Sequence, residues 1–334
     1  MIDNFDLNTY FQSKAANENS LFQVEIDVTS KCNADCPFCF QDCHSDNKKD
    51  MSLHMYKDLF KQLREMGVQY IGFSGGEPFS RNDFLDILKE AKKYAFRISL
   101  ITNGMLLNDE TIYELNYIGI SRVTISFHSA NKDNYLKSFG IRDCRLYENA
   151  KSNIKKLLEI GMSVGIAITI TNINYEDLEE TTIFLKKLGI KDIDINYNSL
   201  LSGKREISHL RPKLEDTSLD FANDIISEDE NYGLLCIAGI TSCSIGPEGD
   251  VFPCTFFNCP AGNLYKNNLS EIWNESYLFK MLRSLDESMF LKCTNCAIKR
   301  KCHYCLASCL KETGNMFMPS NEFCQSKKAR AKWC

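Results

Sequence analysis

The sequence predicts an α/β fold on a parallel sheet, followed by a smaller cysteine-dense module. Three observations carry this. From Leu21 to about Asn198, short apolar strands alternate with amphipathic helices. Gly67, Gly119, Gly161 and Gly189 stand where helix C-terminal glycines belong. Of the 16 cysteines, eleven lie beyond Leu235.

The strands read Phe22–Val28, Tyr70–Phe73, Arg97–Ile101, Val123–Phe127, Val164–Ile170 and Asp192–Tyr197. Helices are expected near Ser52–Met66, Asn82–Tyr94, Asn108–Tyr117, Leu146–Ile160 and Tyr175–Leu188, with Ser52, Asn82 and Asn108 as N-caps. Such alternation implies right-handed crossovers, with chemistry at the C-terminal edge of the strands. The expected divisions are an N-terminal extension (1–20), the strand–helix domain (21–202), a polar linker with a helix (203–234) and the cysteine-rich module (235–334).

A length of 334 residues suits one large domain and a smaller one, and 44% hydrophobic content is ordinary for a globular chain. A net charge of −5 gives no reason to expect nucleic acid. The basic run Lys327 to Lys332 reads as a solvated helix face. No apolar run is long enough for a membrane span, and the polar N-terminus lacks a signal-peptide core. The expected compartment is therefore a reducing cytoplasm, where 16 cysteines argue for metal or redox work rather than disulfides.

Cys32, Cys36 and Cys39 form a CxxxCxxC loop directly after the first strand. Three thiolates this close can hold three irons of a 4Fe–4S cube and leave the fourth iron open to a ligand. A zinc loop is the alternative, but zinc favours paired CxxC units. Gly75-Gly76-Glu77-Pro78 follows the second strand. Its glycines allow close backbone approach, and Glu77 offers an acceptor for an ammonium. Asn103 ends the third strand and Ser126 the fourth, beside His128, a candidate proton donor or a structural histidine.

These motifs resemble those of radical S-adenosylmethionine (radical SAM) enzymes. The resemblance implies a six-stranded partial (βα) barrel. It implies an open iron that chelates the amino and carboxylate groups of S-adenosylmethionine, and reductive cleavage to a 5′-deoxyadenosyl radical that takes a hydrogen atom from substrate. It also implies cofactor contacts from Gly75, Gly76, Glu77 and Pro78, from Asn103 and Ser126, and from Phe40 beside the adenine.

Farther along, Cys236 and Cys254 frame a Cx12Gx4C element with Cys243 between them. Cys293-Thr294-Asn295-Cys296, Cys302, Cys305, Cys309 and Cys324 follow. This pattern resembles the SPASM domain of peptide- and protein-modifying radical SAM enzymes. The resemblance implies two auxiliary 4Fe–4S clusters and so three in all. One would use Cys236, Cys243, Cys254 and either Cys305 or Cys309, because Leu306 stands where the pattern has a cysteine. The other would use Cys293, Cys296, Cys302 and Cys324. A pair of zinc ribbons is the alternative. Cys43, Cys144, Cys259 and Cys334 have no assigned place.

The resemblance points to a maturase acting on a ribosomally made peptide by thioether or carbon–carbon crosslinking or by epimerisation. The implied partners are the precursor peptide and an electron donor such as flavodoxin or ferredoxin. Because only about 20 residues precede the first strand, leader recognition is expected to fall to a separate protein or to the barrel itself. Sulfatase-maturing relatives carry an Asp base after the Gx4C cysteine. Thr255 stands there instead and argues against formylglycine formation. The remaining alternatives are a small-molecule radical enzyme (sugar, antibiotic or tetrapyrrole substrate) and a non-enzymatic metal-binding scaffold.

Overall fold

The computed structural model describes residues 7–41, 49–196, 207–212, 236–299, 302 and 304–331. Cys43, Cys334 and most of the expected linker lie outside them. The chain forms two compact units, each discontinuous in sequence: Met1–Lys31, Ser45–Ser99 and Ile237–Leu285 in the first, and Cys32–His44, Leu100–Cys236 and Asp286–Cys334 in the second.

In the first unit, β1 (Gln23–Asp27) lies between β2 (Tyr70–Ser74) and β7 (Ser242–Ile245), parallel to both. β8 (Asp250–Phe252) and β9 (Gly262–Asn263) continue antiparallel from β7. The first hairpin of the cysteine-rich module thus pairs with the first strand of the strand–helix region. Helix α2 (Leu53–Glu65) buries Tyr56, Leu59, Phe60 and Leu63, the i, i+3, i+4, i+7 stripe of an amphipathic helix. As expected, Ser52 caps it by accepting from the Met55 amide. The expected cap Asn82 gives way to Asp83 before α3 (Phe84–Lys92), and Asp83 makes no capping bond. Its carboxylate instead takes two hydrogen bonds from Arg81, at 2.6 and 3.0 Å. Arg81 also donates to the Val28 and Met51 carbonyls, so it ties the end of β1 to the start of α2.

In the second unit β4 (Arg122–Ser126), β5 (Val164–Thr169) and β6 (Asp192–Asn196) are parallel in that order. The six expected strands are present to within a residue or two. β3 (Arg97–Thr102) begins in the first unit and ends in the second. Around them run α4 (Asp109–Ile118), α6 (Arg145–Glu159) and α7 (Leu178–Lys187). Two helices have no counterpart in the sequence expectation: α1 (Leu7–Glu18) and α5 (Lys132–Phe139). The side chain of Asn131 caps α5, and Gly140 closes it at φ +60°.

The module at the end of the chain adds α8 (Leu269–Glu275) and α9 (Tyr277–Arg283) to the first unit. It adds α10 (Leu306–Thr313) and α11 (Asn321–Ala331) to the second. Among the described residues no helix is long and apolar enough to cross a membrane.

Candidate functional site

The loop carrying Cys32, Cys36 and Cys39 is seated on the second unit by contacts spread along its length. Asn103, buried after β3, donates through Nδ2 to Asn33 Oδ1 at 2.7 Å and accepts the Met105 amide at 3.0 Å. The Asp35 amide donates to the Phe139 carbonyl at the end of α5. A Cβ on Gly140 would stand 2.1 Å from the Asp35 carbonyl oxygen, so only glycine lets the two backbones meet. Phe38 packs edge-on to His128 at 5.1 Å, and His128 stacks on Phe139 at 4.6 Å.

His128 is fully buried, and burial alone lowers its pKa to about 3. Its Nδ1 accepts the Thr169 amide at 3.1 Å, which leaves the proton of the neutral ring on Nε2. Of the two roles open for this residue, the structure favours the structural one: a neutral wall behind the loop.

Within the loop the three thiols act on one another. Burial first, then the charges of Cys39 and Cys32, push the Cys36 thiol well above its ordinary range. Bare thiolates are costly in such a place, and cationic irons offset that cost. Among the described residues no group of three or more His, Cys, Asp or Glu is arranged to hold a single metal ion. Thiolates on a cubane each bind a different iron, so they need not converge on one point.

In the first unit Gly75 and Gly76 make the expected close approach, but to the chain itself. A Cβ on Gly75 (φ +137°) would sit 2.6 Å from the Thr29 carbonyl oxygen, and one on Gly76 would sit 2.3 Å from the Lys31 carbonyl oxygen. The Gly76 and Glu77 amides donate to Thr29 and Lys31, each at 2.8 Å. The turn after β2 is thereby locked onto the backbone that leads into Cys32. Glu77 is also part of the turn's own structure. It is fully buried, and its Oε1 caps the 3₁₀ turn Pro78–Ser80 by accepting the Phe79 amide at 3.1 Å. Ser126 and Phe40 are half-buried, Ser126 at the end of β4 and Phe40 directly after Cys39.

In the second unit Cys293, Cys296, Cys302 and Cys324 line one cavity of about 650 Å³. Burial raises each of Cys293, Cys302 and Cys324, Cys302 to about 11. The neighbouring thiols, Cys296 among them, raise them further, as expected of four thiols around one space. They are the four expected for the second auxiliary cluster, and a cluster suits a donor set of four mutually repelling sulfurs.

The comparisons agree with this geometry. Residues 26–185 match the Radical SAM superfamily model, and residues 236–297 match the SPASM iron–sulfur cluster-binding domain. The chain carries a radical SAM domain followed by a SPASM domain. These two domains imply iron–sulfur clusters and S-adenosylmethionine. The AdoMet-dependent heme synthase of Methanosarcina barkeri is 23% identical, over 90% of this chain and 95% of its own length. The PqqA peptide cyclase of Gluconobacter oxydans is 23% identical, over 86% of each chain. Among solved structures, Streptococcus suis SuiB bound to its precursor peptide SuiA superposes with a TM-score of 0.71 at 20% identity, over 95% of this chain and 80% of that one. The likeness establishes the α/β radical SAM fold with its open parallel sheet.

One residue expected in the first auxiliary set, Cys243, has a setting unlike the four thiols of the cavity. Cys243 lies on β7 in register with Val24 and is 2% exposed. Ser242 and Ser244 take the opposite face of the strand, by simple alternation. Burial pushes the Cys243 thiol above its usual range, and the Arg283 guanidinium pulls it back. Among the described residues no other cysteine charge acts on it, unlike the four thiols of the cavity. It packs as a small core residue. Cys254 is half-buried after β8, and Cys236 is half-buried in the other unit.

Cys305 and Cys309 differ in setting. Cys305 caps α10, its Sγ accepting the Ser308 amide at 3.4 Å. Cys309 is buried within α10, raised to about 12 by burial despite a hydrogen bond with Tyr304. Exposed Cys144 and Cys259 belong to neither set.

Sequence reasoning missed the residues that seat the first loop: Asn33, Phe38, Phe139 and Gly140. The Asn131 and Gly140 bracket around α5 was the readable signal.

Proposed function

We propose that this chain is a radical SAM maturase that abstracts a hydrogen atom from a ribosomally made peptide, leading to a thioether or carbon–carbon crosslink or to epimerisation. The observation that carries the chemistry is the loop of Cys32, Cys36 and Cys39, whose Asp35 backbone is met by Gly140 where only glycine fits. When bound, a 4Fe–4S cluster with one open iron and S-adenosylmethionine supply the radical. The chain's own residues then bind and orient. Cys32, Cys36 and Cys39 hold three irons. The turn at Gly75–Pro78 fixes the backbone entering the loop, with Glu77 stiffening the turn. Asn103 holds Asn33, and His128 and Phe139 exclude water behind Phe38. Cys293, Cys296, Cys302 and Cys324 hold one auxiliary cluster. Cys236, Cys254 and Cys305 or Cys309 serve another, for three clusters in all. Cys305 is favoured over Cys309 because its sulfur already faces a helix N-terminus, which stabilises a thiolate.

The peptide substrate is supported by two relatives whose names state one, the PqqA cyclase and SuiB with SuiA. Thr255 after Cys254 keeps formylglycine formation disfavoured. A second reading has its own support: the heme synthase relative matches nearly end to end, which favours a tetrapyrrole substrate. One experiment separates them. The anaerobically reconstituted chain, with S-adenosylmethionine and reduced flavodoxin or ferredoxin, is offered short peptides encoded beside its gene and, separately, tetrapyrroles. A peptide mass change with stoichiometric 5′-deoxyadenosine is expected. Turnover of a tetrapyrrole with no peptide modified would overturn the peptide reading. Alanine at Cys32, Cys36 and Cys39 together should abolish 5′-deoxyadenosine formation and remove about four irons of roughly twelve.

A further inference from the structure

Lys327 belongs to the basic run that reads in sequence as a solvated face. In the structure it is only 4% exposed, while its neighbour Lys328 is exposed. Helix α11 aims it inward, one turn from Cys324, and it lines the same cavity as the four cysteines. Its ammonium lies 5.0 Å from the centroid of the Phe323 ring. Of the cavity thiols it acts on Cys302. Lys292 is held on the cavity rim by the Pro319 carbonyl at 3.1 Å and acts on Cys293 and Cys324. Four thiolates around a 4Fe–4S core of charge +2 leave a net charge of −2, and adding one electron makes it −3. A fixed buried cation stabilises the second state more than the first, because attraction scales with the charge it faces.

We propose that Lys327 is a buried counter-charge to the iron–sulfur cluster of this cavity and makes that cluster easier to reduce. The proposal rests on the cluster reading above. In the one-electron step the cluster gains an electron from an external donor and Lys327 keeps its proton throughout.

The test uses the full chain with Cys32, Cys36 and Cys39 replaced by Ala, so that only the C-terminal clusters report. Iron content and potentials from a redox titration followed by electron paramagnetic resonance are compared for Lys327, Lys327→Met, Lys327→Arg and, as an exposed control outside the cavity, Lys57→Met on α2. One of the reducible centres should shift to lower potential in Lys327→Met by about a tenfold change in its reduction equilibrium, or about 59 mV for one electron. Lys327→Arg and Lys57→Met should stay near the parent. Loss of about four irons in Lys327→Met with retention in Lys327→Arg also supports the counter-charge. Retained iron with an unshifted potential in Lys327→Met overturns it, as does equal iron loss in the Met and Arg variants, which would make the role one of packing. If Lys327→Met fails to fold by circular dichroism, Lys327→Gln is read by the same criteria. A parent chain with no iron in this cavity defeats the cluster reading itself, a result distinct from an unshifted potential.

Discussion

Asn103 and Asn33 are joined by one amide–amide hydrogen bond of 2.7 Å, and through it the end of β3 holds the loop that carries the first three cysteines. Asn103 completes the arrangement by accepting the Met105 amide. Asn153 steadies the following turn, donating to the Gly104 and Leu107 carbonyls at 2.9 Å each. Replacing Asn103 by Ala strands the Asn33 amide oxygen and the Met105 amide. The cost should be about 1–3 kcal/mol of stability. Loop order suffers first, so the expected outcome is faster loss of about four irons on mild chelation while the remaining irons stay. Iron release followed by absorbance checks this; release at the parent rate sinks the positioning role.

The glycines of β2 and its turn should respond unequally. In Gly76→Ala the new methyl meets backbone, the Lys31 carbonyl oxygen at 2.3 Å, which cannot swing away. Destabilisation on the order of 2–4 kcal/mol is expected, together with weaker S-adenosylmethionine binding because the turn moves off the Lys31 backbone. In Gly72→Ala the methyl meets the Glu25 carboxylate at 2.0 Å, the free end of a flexible side chain. That substitution should cost less than half as much. Thermal denaturation of the two variants side by side decides; equal losses would mean that backbone contact is not what makes Gly76 necessary.

Much of this was legible in the sequence. The six strands follow from apolar runs closed by polar turns, and the cysteine spacings name the sites. What could not be read are contacts set by tertiary approach. A one-dimensional pattern cannot say that the glycines of Gly75-Gly76 serve Thr29 and Lys31, or that Glu77 turns inward to cap the turn Pro78–Ser80. Spacing counts residues and so places Cys243 beside Cys236 and Cys254, whereas strand alternation decides which way its side chain points. Lys327 looked solvated because a charged run carries no sign of which member faces the cavity beside Cys324.

Two buried groups should give opposite pH dependences. His128 is held near 3 by burial, below its unfolded value of about 6.5. The unfolded chain therefore binds the extra proton. His128's contribution is complete above about pH 6.5 and is lost as pH falls toward 3. Glu25 is raised to about 7, by burial first and Asp27 second. There the folded chain binds the extra proton, so its contribution is present below about 4.5 and is lost as pH rises through 7. Glu25→Gln should thus stabilise the protein at pH 8, by at most about 3 kcal/mol, with little effect at pH 4.5. His128→Gln should flatten the acid side of the profile between pH 6.5 and 4.5. Urea midpoints across this range test both; a uniform offset in either variant would show that the group does not titrate as described.

The last expectation separates a ligand from a core cysteine on one hairpin. Cys243 and Cys254 both precede the CxxC unit and lie eleven residues apart. Cys243 is 2% exposed on the Val24 face of β7 and feels Arg283 rather than other thiols. Cys254 is half-buried beyond the end of β8. If Cys254 holds iron, Cys254→Ala should lose about four irons and the matching part of the absorbance. Cys243→Ala should keep its full iron content and lose only packing, about 1–2 kcal/mol for a small buried side chain. Iron and sulfide assays on the two reconstituted variants give the answer directly. Iron loss from Cys243→Ala equal to that from Cys254→Ala would return Cys243 to the ligand set and show that β7 turns over when the cluster forms.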